Sequence, residues 1–137
     1  MAVFLIAITS VWTIPKDDLA RQLIRDAITN DTDENPFMLI NIDGIVNQYK
    51  RMRKFMPRVR PHFAIKSNPQ PVIAETLTAL GTGFDCASKL EIKQVLDMGV
   101  PPTDIIYAQT VKYPSTIKYC KEHGIGEYSA SLYVRSE

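Results

Sequence analysis

The sequence has few of the features that mark secreted, metal-binding or nucleic-acid-binding proteins. Its two cysteines, Cys86 and Cys120, are far apart and belong to no CxxC or histidine-rich spacing. A disulfide framework or a metal site is therefore not expected, and a reducing compartment such as the cytoplasm fits best. The formal net charge is only +1, so charge gives no reason to expect nucleic acid or an anionic membrane as a partner.

The sequence also lacks an apolar run long enough to span a bilayer. Met1 to Ile8 is uniformly apolar but too short for that purpose. No positive charge precedes this run and no small-residue cleavage site is evident, as a secretory signal would require. A β-strand is the favoured interpretation of this run, and a targeting segment is the alternative.

What is present is the composition of one soluble globular domain, with 45% hydrophobic and 23% charged residues in 137. From Phe37 onward a strand-and-helix pattern repeats four times, and it predicts parallel, adjacent strands near 37–42, 62–66, 83–87 and 105–108. Consecutive βα units indicate a parallel sheet covered by helices. Either a doubly wound sheet or part of a (β/α)8 barrel satisfies this pattern. Gly81-Thr82-Gly83 lies between a helix and the following strand, the reverse of the dinucleotide-binding order.

Lys66 is the residue most suggestive of chemistry. It follows the apolar residues 62–65 directly, at the carboxyl end of a predicted strand, where α/β folds build active sites. Burial would favour the neutral amine and so make it available for a Schiff base. Because side chains alternate along a strand, small Ala64 would share its face and leave room for a flat ligand. The alternative is a lysine that extends into solvent from a strand end.

Two acidic residues, Asp85 and Glu91, lie at and shortly after the end of the next predicted strand. Asp85 ends that strand, and neighbouring strands lie about 4.8 Å apart, so Asp85 and Lys66 would reach each other or a shared ligand. A plain structural ion pair is the alternative for Asp85. Glu91 stands three residues after Ser88, the spacing of a capping box, in which the glutamate hydrogen-bonds back to the helix start. Neither His62 nor His123 has a serine or cysteine partner, which predicts structural roles for both.

Three segments, 61–68, 77–92 and 99–108, resemble the pyridoxal-phosphate-dependent decarboxylases of the ornithine decarboxylase type, which act on ornithine, lysine, arginine or diaminopimelate. The first reads PHFAIKSN, the second LTALGTGFDCASKLEI and the third GVPPTDIIYA. The resemblance covers about residues 37–125. Ser67 stands where the family commonly has cysteine, and Gln109-Thr110-Val111 replaces an asparagine-proline turn.

The resemblance implies a (β/α)8 barrel followed by a β-sandwich domain, in a homodimer. It implies that Lys66 is the Schiff-base lysine for pyridoxal 5'-phosphate, with Asp85 and Glu91 as acidic residues near the cofactor and Ala64 beside it. The family reaction converts ornithine to putrescine for polyamine biosynthesis. A non-catalytic relative that acts like an antizyme inhibitor, with antizyme as partner, is the alternative function. The residues alone leave ornithine, lysine and other basic amino acids open as substrates.

The resemblance also predicts a division of the chain into three segments. Residues 1–36 would form an N-terminal strand and helix, 37–125 a partial cofactor-binding barrel, and 126–137 a divergent tail without the family's fifth strand. The groups that hold the cofactor phosphate, pair with its ring nitrogen and select the substrate lie beyond Glu137 in the family. The chain is therefore expected to be a truncated N-terminal portion that is inactive alone.

Overall fold

The computed structural model describes residues 2–6, 10–14, 19–30 and 38–129. The chain divides into two compact units, Met1–Arg51 and Met52–Glu137. Each unit has its own sheet, and the two are described in turn.

The first unit contains a three-stranded antiparallel sheet. Strands β1 (Ala2–Ile6) and β2 (Ser10–Ile14) pair antiparallel, and β3 (Leu39–Asn41) pairs antiparallel with the other side of β1. Helix α1 spans Leu19–Asn30. The apolar N-terminal run, for which a strand was favoured, therefore does contain one.

The position of β3 corrects one prediction. The sequence pattern placed this strand parallel to the strand at residue 62, in one common sheet. Instead β3 pairs antiparallel with β1, and it is not part of the parallel sheet. The residues of a short apolar strand do not specify which other strand it pairs with. The hydrogen-bonding partner of β3 therefore depends on contacts distant in sequence. Helix α2 (Ile42–Phe55) follows at once, and the Asn41 side chain caps it by accepting from the Gly44 N–H at 2.9 Å.

The second unit is a parallel α/β structure, as predicted. Its four strands lie in the order β4-β5-β6-β7, with every neighbouring pair parallel. The strands are β4 (His62–Ala64), β5 (Gly83–Cys86), β6 (Ile105–Tyr107) and β7 (Glu127–Tyr128). The helices between them are α3 (Pro71–Ala79), α4 (Lys89–Asp97) and α5 (Pro114–Glu122).

Strand β7 corrects a second prediction, because the tail was expected to lack a further strand. Ile106 is in register with Glu127 and Tyr107 with Tyr128, in parallel pairing. The sequence signal was weak because both β7 residues are exposed, so the segment has no apolar alternation. Residues 130–137 lie outside the described part of the chain.

The core lies on one face of the parallel sheet. Phe84, Cys86, Ile105 and Tyr107 point to this face and are completely buried. The three helices cover it with a set of buried apolar side chains: Ile73, Leu77, Ile92, Val95 and Cys120. Each large apolar side chain buried there contributes roughly 1.5–3 kcal/mol relative to an exposed position.

Local signals explain where the helices end. Helix α3 is followed by Gly81 at φ +79°, a left-handed conformation that glycine adopts without strain, and the Thr82 N–H closes the helix end on Leu77 O at 3.0 Å. Gly81-Thr82-Gly83 therefore ends a helix, as its place between a helix and the following strand predicts. Among the described helices none is both long and apolar enough to cross a membrane.

Candidate functional site

The face of the parallel sheet opposite the helices carries an open cavity of about 610 Å³. Because register partners in parallel strands point the same way, Ala64, Asp85, Ile106 and Glu127 share this face. The cavity walls include six residues from the strands and the segments that follow them: His62, Asp85, Ile106, Ala108, Glu127 and Ser129. This volume lies within the range of small-molecule sites in proteins.

Lys66 lies directly after β4, in a short 3-10 turn of Ile65–Ser67. The predicted strand to residue 66 therefore ends two residues early, at Ala64. Ile65 is fully buried and anchors the turn, whereas Lys66 is exposed. Within the described residues no ion pair joins Lys66 to Asp85. The lysine stands at the carboxyl edge of the sheet, but this chain does not itself bury the amine.

Asp85 lies in β5, in register with Ala64 of β4. Its Oδ1 atom is buried and has no hydrogen-bond partner among the described residues. Leaving a buried acceptor unpaired costs about 1–3 kcal/mol, and more for a charged group, so such an atom calls for a donor from outside the chain. The hydroxyls of Thr82 and Tyr107 are buried and unpaired as well, but of the three residues only Asp85 lines the cavity. Asp85 is therefore the best-supported polar contact for a ligand in the cavity.

Ser88 caps α4 as the spacing predicts, but Glu91 bonds to Ala87 rather than to the N-cap amide. The Ser88 hydroxyl accepts a hydrogen bond from the Glu91 N–H at 3.2 Å, and Glu91 Oε2 accepts from the Ala87 N–H at 2.7 Å. The carboxylate thus reaches the amide one residue before the N-cap. Glu91 is not among the residues that line the cavity. It fixes Ala87, two residues after Asp85.

The residue after Asp85 is a cysteine that does not line the cavity. Cys86 follows Asp85 on the opposite face of β5 and is fully buried. Burial raises the pKa of the Cys86 thiol to about 12, and the nearby Glu91 and Asp85 carboxylates add to this effect. The thiol is protonated at neutral pH and is no nucleophile.

The sequence analysis missed a contact made to Ser129, which lines the cavity, by Lys112, which does not. Lys112, in the loop after β6, donates to Tyr107 O at 3.1 Å, Gln109 O at 2.6 Å and Ser129 Oγ at 3.0 Å. It thereby joins the ends of β6 and β7. The loop at Gln109–Val111 differs from the turn usual in the family, but no local pattern links Lys112 to a residue seventeen positions away. His62, expected to be structural, lines the cavity.

The residues around the cavity fit part of pyridoxal phosphate. The small side chain of Ala108 in the lining, with that of Ala64 on the same face of the sheet, leaves room for a flat ring, and the Asp85 oxygen without a described partner supplies a polar contact. An amine that can bond to an aldehyde, Lys66, lies at the same edge. The described lining contains no lysine or arginine, so it offers no side-chain cation for the phosphate group.

Fold and site together define a cofactor-binding α/β domain of the (β/α)8 barrel type, with reactive groups at the carboxyl edge of a parallel sheet. The chain belongs to the family "Pyridoxal-dependent decarboxylase, pyridoxal binding domain", whose sequence model matches residues 42–132 of this chain. The family inferred from the three sequence segments is thereby confirmed.

Similar proteins support the same assignment. Ornithine decarboxylase from Neurospora crassa is 40% identical over 118 residues, which cover 78% of this chain and 24% of that protein. Antizyme inhibitor 2 from Xenopus laevis is 39% identical over 108 residues, 79% of this chain and 24% of the relative. The crystal structure of ornithine decarboxylase from Entamoeba histolytica superposes with a TM-score of 0.68 at 34% identity, over 80% of this chain and 33% of that one. The chain thus spans about a quarter of the length of the curated relatives it matches.

Proposed function

We propose that this chain provides the cofactor-lysine portion of a pyridoxal-phosphate-dependent decarboxylase of basic amino acids, with ornithine as substrate and putrescine as product. The observation that carries this proposal is the position of Lys66. Lys66 follows β4 directly, beside a strand whose Asp85 has an oxygen with no hydrogen-bond partner among the described residues, at a ligand-sized cavity. The family match includes both residues.

Each site residue has a distinct part in this proposal. Lys66 would hold the cofactor by bonding to its aldehyde through the deprotonated amine. Asp85 accepts a hydrogen bond in the cavity and, as a carboxylate, favours a positive charge on a nitrogen beside it. Ala64 leaves space on the same face, and Glu91 acts indirectly by holding Ala87. The bound cofactor supplies the electron sink for loss of the α-carboxylate.

Completion of the active site requires more than the described residues provide. Among the described residues the cavity lining has no lysine or arginine for a phosphate, and Lys66 is exposed to water. We therefore propose that further segments, or the second subunit of a homodimer, complete the site. A cytoplasmic location accords with the two free thiols, which are both buried.

A non-catalytic role like that of an antizyme inhibitor is the second candidate. It is favoured by one observation, namely that the Xenopus antizyme inhibitor is as similar to this chain as the Neurospora enzyme is, at 39% and 40% identity. In that case the partner would be antizyme, and Lys66 would have no reaction to perform.

Covalent capture of the cofactor separates the two candidates. The chain is incubated with pyridoxal phosphate, reduced with borohydride and digested, and the modified peptides are identified by mass spectrometry. The proposal expects Lys66 to be modified far above an exposed control lysine such as Lys121, and Lys66→Arg to abolish that signal. Equal modification of Lys66 and Lys121 would leave the enzymatic proposal without support and favour the binding role.

A further inference from the structure

The turn that carries Lys66 is held by side-chain hydrogen bonds. The Ser67 hydroxyl donates to Ala64 O at 2.7 Å, which closes the turn over Lys66. Further along, the Asn68 side chain accepts from the Gln70 N–H at 3.2 Å. Both contacts are local, so they define the shape of the turn but not its place against the rest of the unit.

One contact connects this segment to another element. Gln94 Nε2, on α4, donates to Pro69 O at 3.1 Å across 25 residues of sequence. The same helix carries Glu91, whose carboxylate accepts from the Ala87 N–H. Helix α4 is therefore bonded to the segments that follow both β4 and β5, which are the strands that end near Lys66 and at Asp85.

We propose that Ser67 and Gln94 are positioning residues for Lys66, an inference that rests on the proposed function. Ser67 sets the shape of the turn, and Gln94 fixes the segment after it on α4, at a constant place relative to Asp85. Packing cannot do this alone, because Ile65 is buried but Lys66 and Ser67 are exposed. A lysine on a mobile turn would search a larger volume and meet the cofactor in a productive geometry less often.

The step that benefits is the addition of the amine to the cofactor aldehyde. In that step a C=N double bond between the deprotonated Lys66 nitrogen and the aldehyde carbon would replace the C=O double bond. The aldehyde oxygen would leave as water with the two protons of the amine, so no oxidant or reductant is required. The step depends on holding the nitrogen close to the carbon, which is the contribution assigned to the turn.

Four variants test this assignment. Ser67→Ala removes the hydroxyl, whereas Ser67→Thr keeps it. Gln94→Glu keeps the size of the side chain but replaces the donor with an acceptor. Gln48→Glu makes the same charge change at an exposed position of α2 and serves as the control.

The readout is the pyridoxal phosphate concentration that gives half-maximal borohydride-trapped modification of Lys66. A net hydrogen bond of about 0.5–1.5 kcal/mol corresponds to about a 2- to 10-fold rise in that concentration for Ser67→Ala and for Gln94→Glu. Ser67→Thr and Gln48→Glu should match the parent chain. Unchanged capture by both Ser67→Ala and Gln94→Glu would overturn the proposal.

A reaction with formaldehyde and borohydride checks that the amine itself is intact. This small aldehyde needs no binding site, so its rate at Lys66 should be equal in all variants. A slower rate in Ser67→Ala or Gln94→Glu would mean that the substitutions alter the amine rather than its position, and the proposal would be wrong.

Amide hydrogen exchange keeps the inference testable without the cofactor. Ser67→Ala and Gln94→Glu should each speed exchange in residues 65–70 several-fold and leave β5 and β6 unchanged. Unchanged exchange in residues 65–70 would overturn the claim that these contacts fix the turn. If the parent chain fails to capture the cofactor at Lys66, the proposed function fails, and the exchange result still decides whether Ser67 and Gln94 hold the turn.

Discussion

The imidazole ring of His62 fills the space that a side chain on Gly83 would need. These residues are register partners on adjacent strands β4 and β5. A Cβ atom at Gly83 would overlap the His62 ring and would lie 2.9 Å from the backbone oxygen of Asp104. Glycine at this position is therefore a packing requirement at the floor of the cavity.

Gly83→Ala should destabilise the chain by about 1–3 kcal/mol, the usual cost of overpacking. Urea unfolding followed by circular dichroism measures the loss. Gly126→Ala is the control, because a Cβ there meets nothing within 4 Å. The double variant His62→Ala with Gly83→Ala should recover part of the loss. Equal stability of Gly83→Ala and the parent chain would contradict the packing argument.

Glu91→Ala should destabilise the chain by about 1 kcal/mol, because the Ala87 N–H loses its acceptor and α4 loses half of its capping box. Glu91→Gln keeps an acceptor oxygen, so its free energy of unfolding should stay within a few tenths of a kcal/mol of the parent value. Glu75→Ala, at an exposed position of α3, is the control. Equal losses for the Ala and Gln variants at Glu91 would show that the charge matters and the hydrogen bond does not.

Asp104 should make the stability of the chain depend on acid pH. Its hydrogen bond from Arg60, at 2.5 Å, lowers the pKa of Asp104 more than partial burial raises it. A group with a lowered folded pKa stabilises above its unfolded pKa and stops doing so as pH falls through the folded one. Asp104→Asn should therefore have a lower Tm than the parent chain at neutral pH. This difference in Tm should disappear as the pH falls below about 4. A difference independent of pH would contradict this assignment.

Cys86 and Cys120 should be unreactive in the folded chain. Both are buried, and burial raises the pKa of each thiol, that of Cys86 to about 12. The thiolate is the reactive form, so iodoacetamide at neutral pH should label neither residue until urea unfolds the chain. The unfolded chain, labelled at both positions, is the positive control. Rapid labelling of Cys86 in the native state would contradict the burial.

The 137-residue chain alone should not decarboxylate ornithine above the rate of free pyridoxal phosphate. Lys66 is exposed, and the described cavity lining has no side-chain cation to hold the phosphate, so a cofactor bonded through Lys66 would not be held in the single orientation that decarboxylation needs. Release of labelled carbon dioxide from carboxyl-labelled ornithine measures this directly. Turnover well above free cofactor, abolished by Lys66→Ala, would contradict the prediction and mean that the described groups suffice.

The sequence determined those features that depend on neighbouring residues. Apolar runs bounded by glycine and proline predict β4, β5 and β6, and the spacing from Ser88 to Glu91 predicts the cap of α4. Placing Lys66 and Asp85 at the same sheet edge also followed, since the carboxyl ends of parallel strands meet there. These inferences succeed because periodicity and capping act over a few residues.

Tertiary structure decided the features that depend on distant partners. In the folded chain β3 pairs with β1, and β7 pairs with β6. Strand β4 ends at Ala64 in a turn, and Gln94 is hydrogen-bonded to Pro69. In each case the local sequence allowed several outcomes of similar free energy. Strand edges accept any backbone of suitable register, and a side-chain amide accepts any carbonyl in reach. Only the packing of the whole unit selects one.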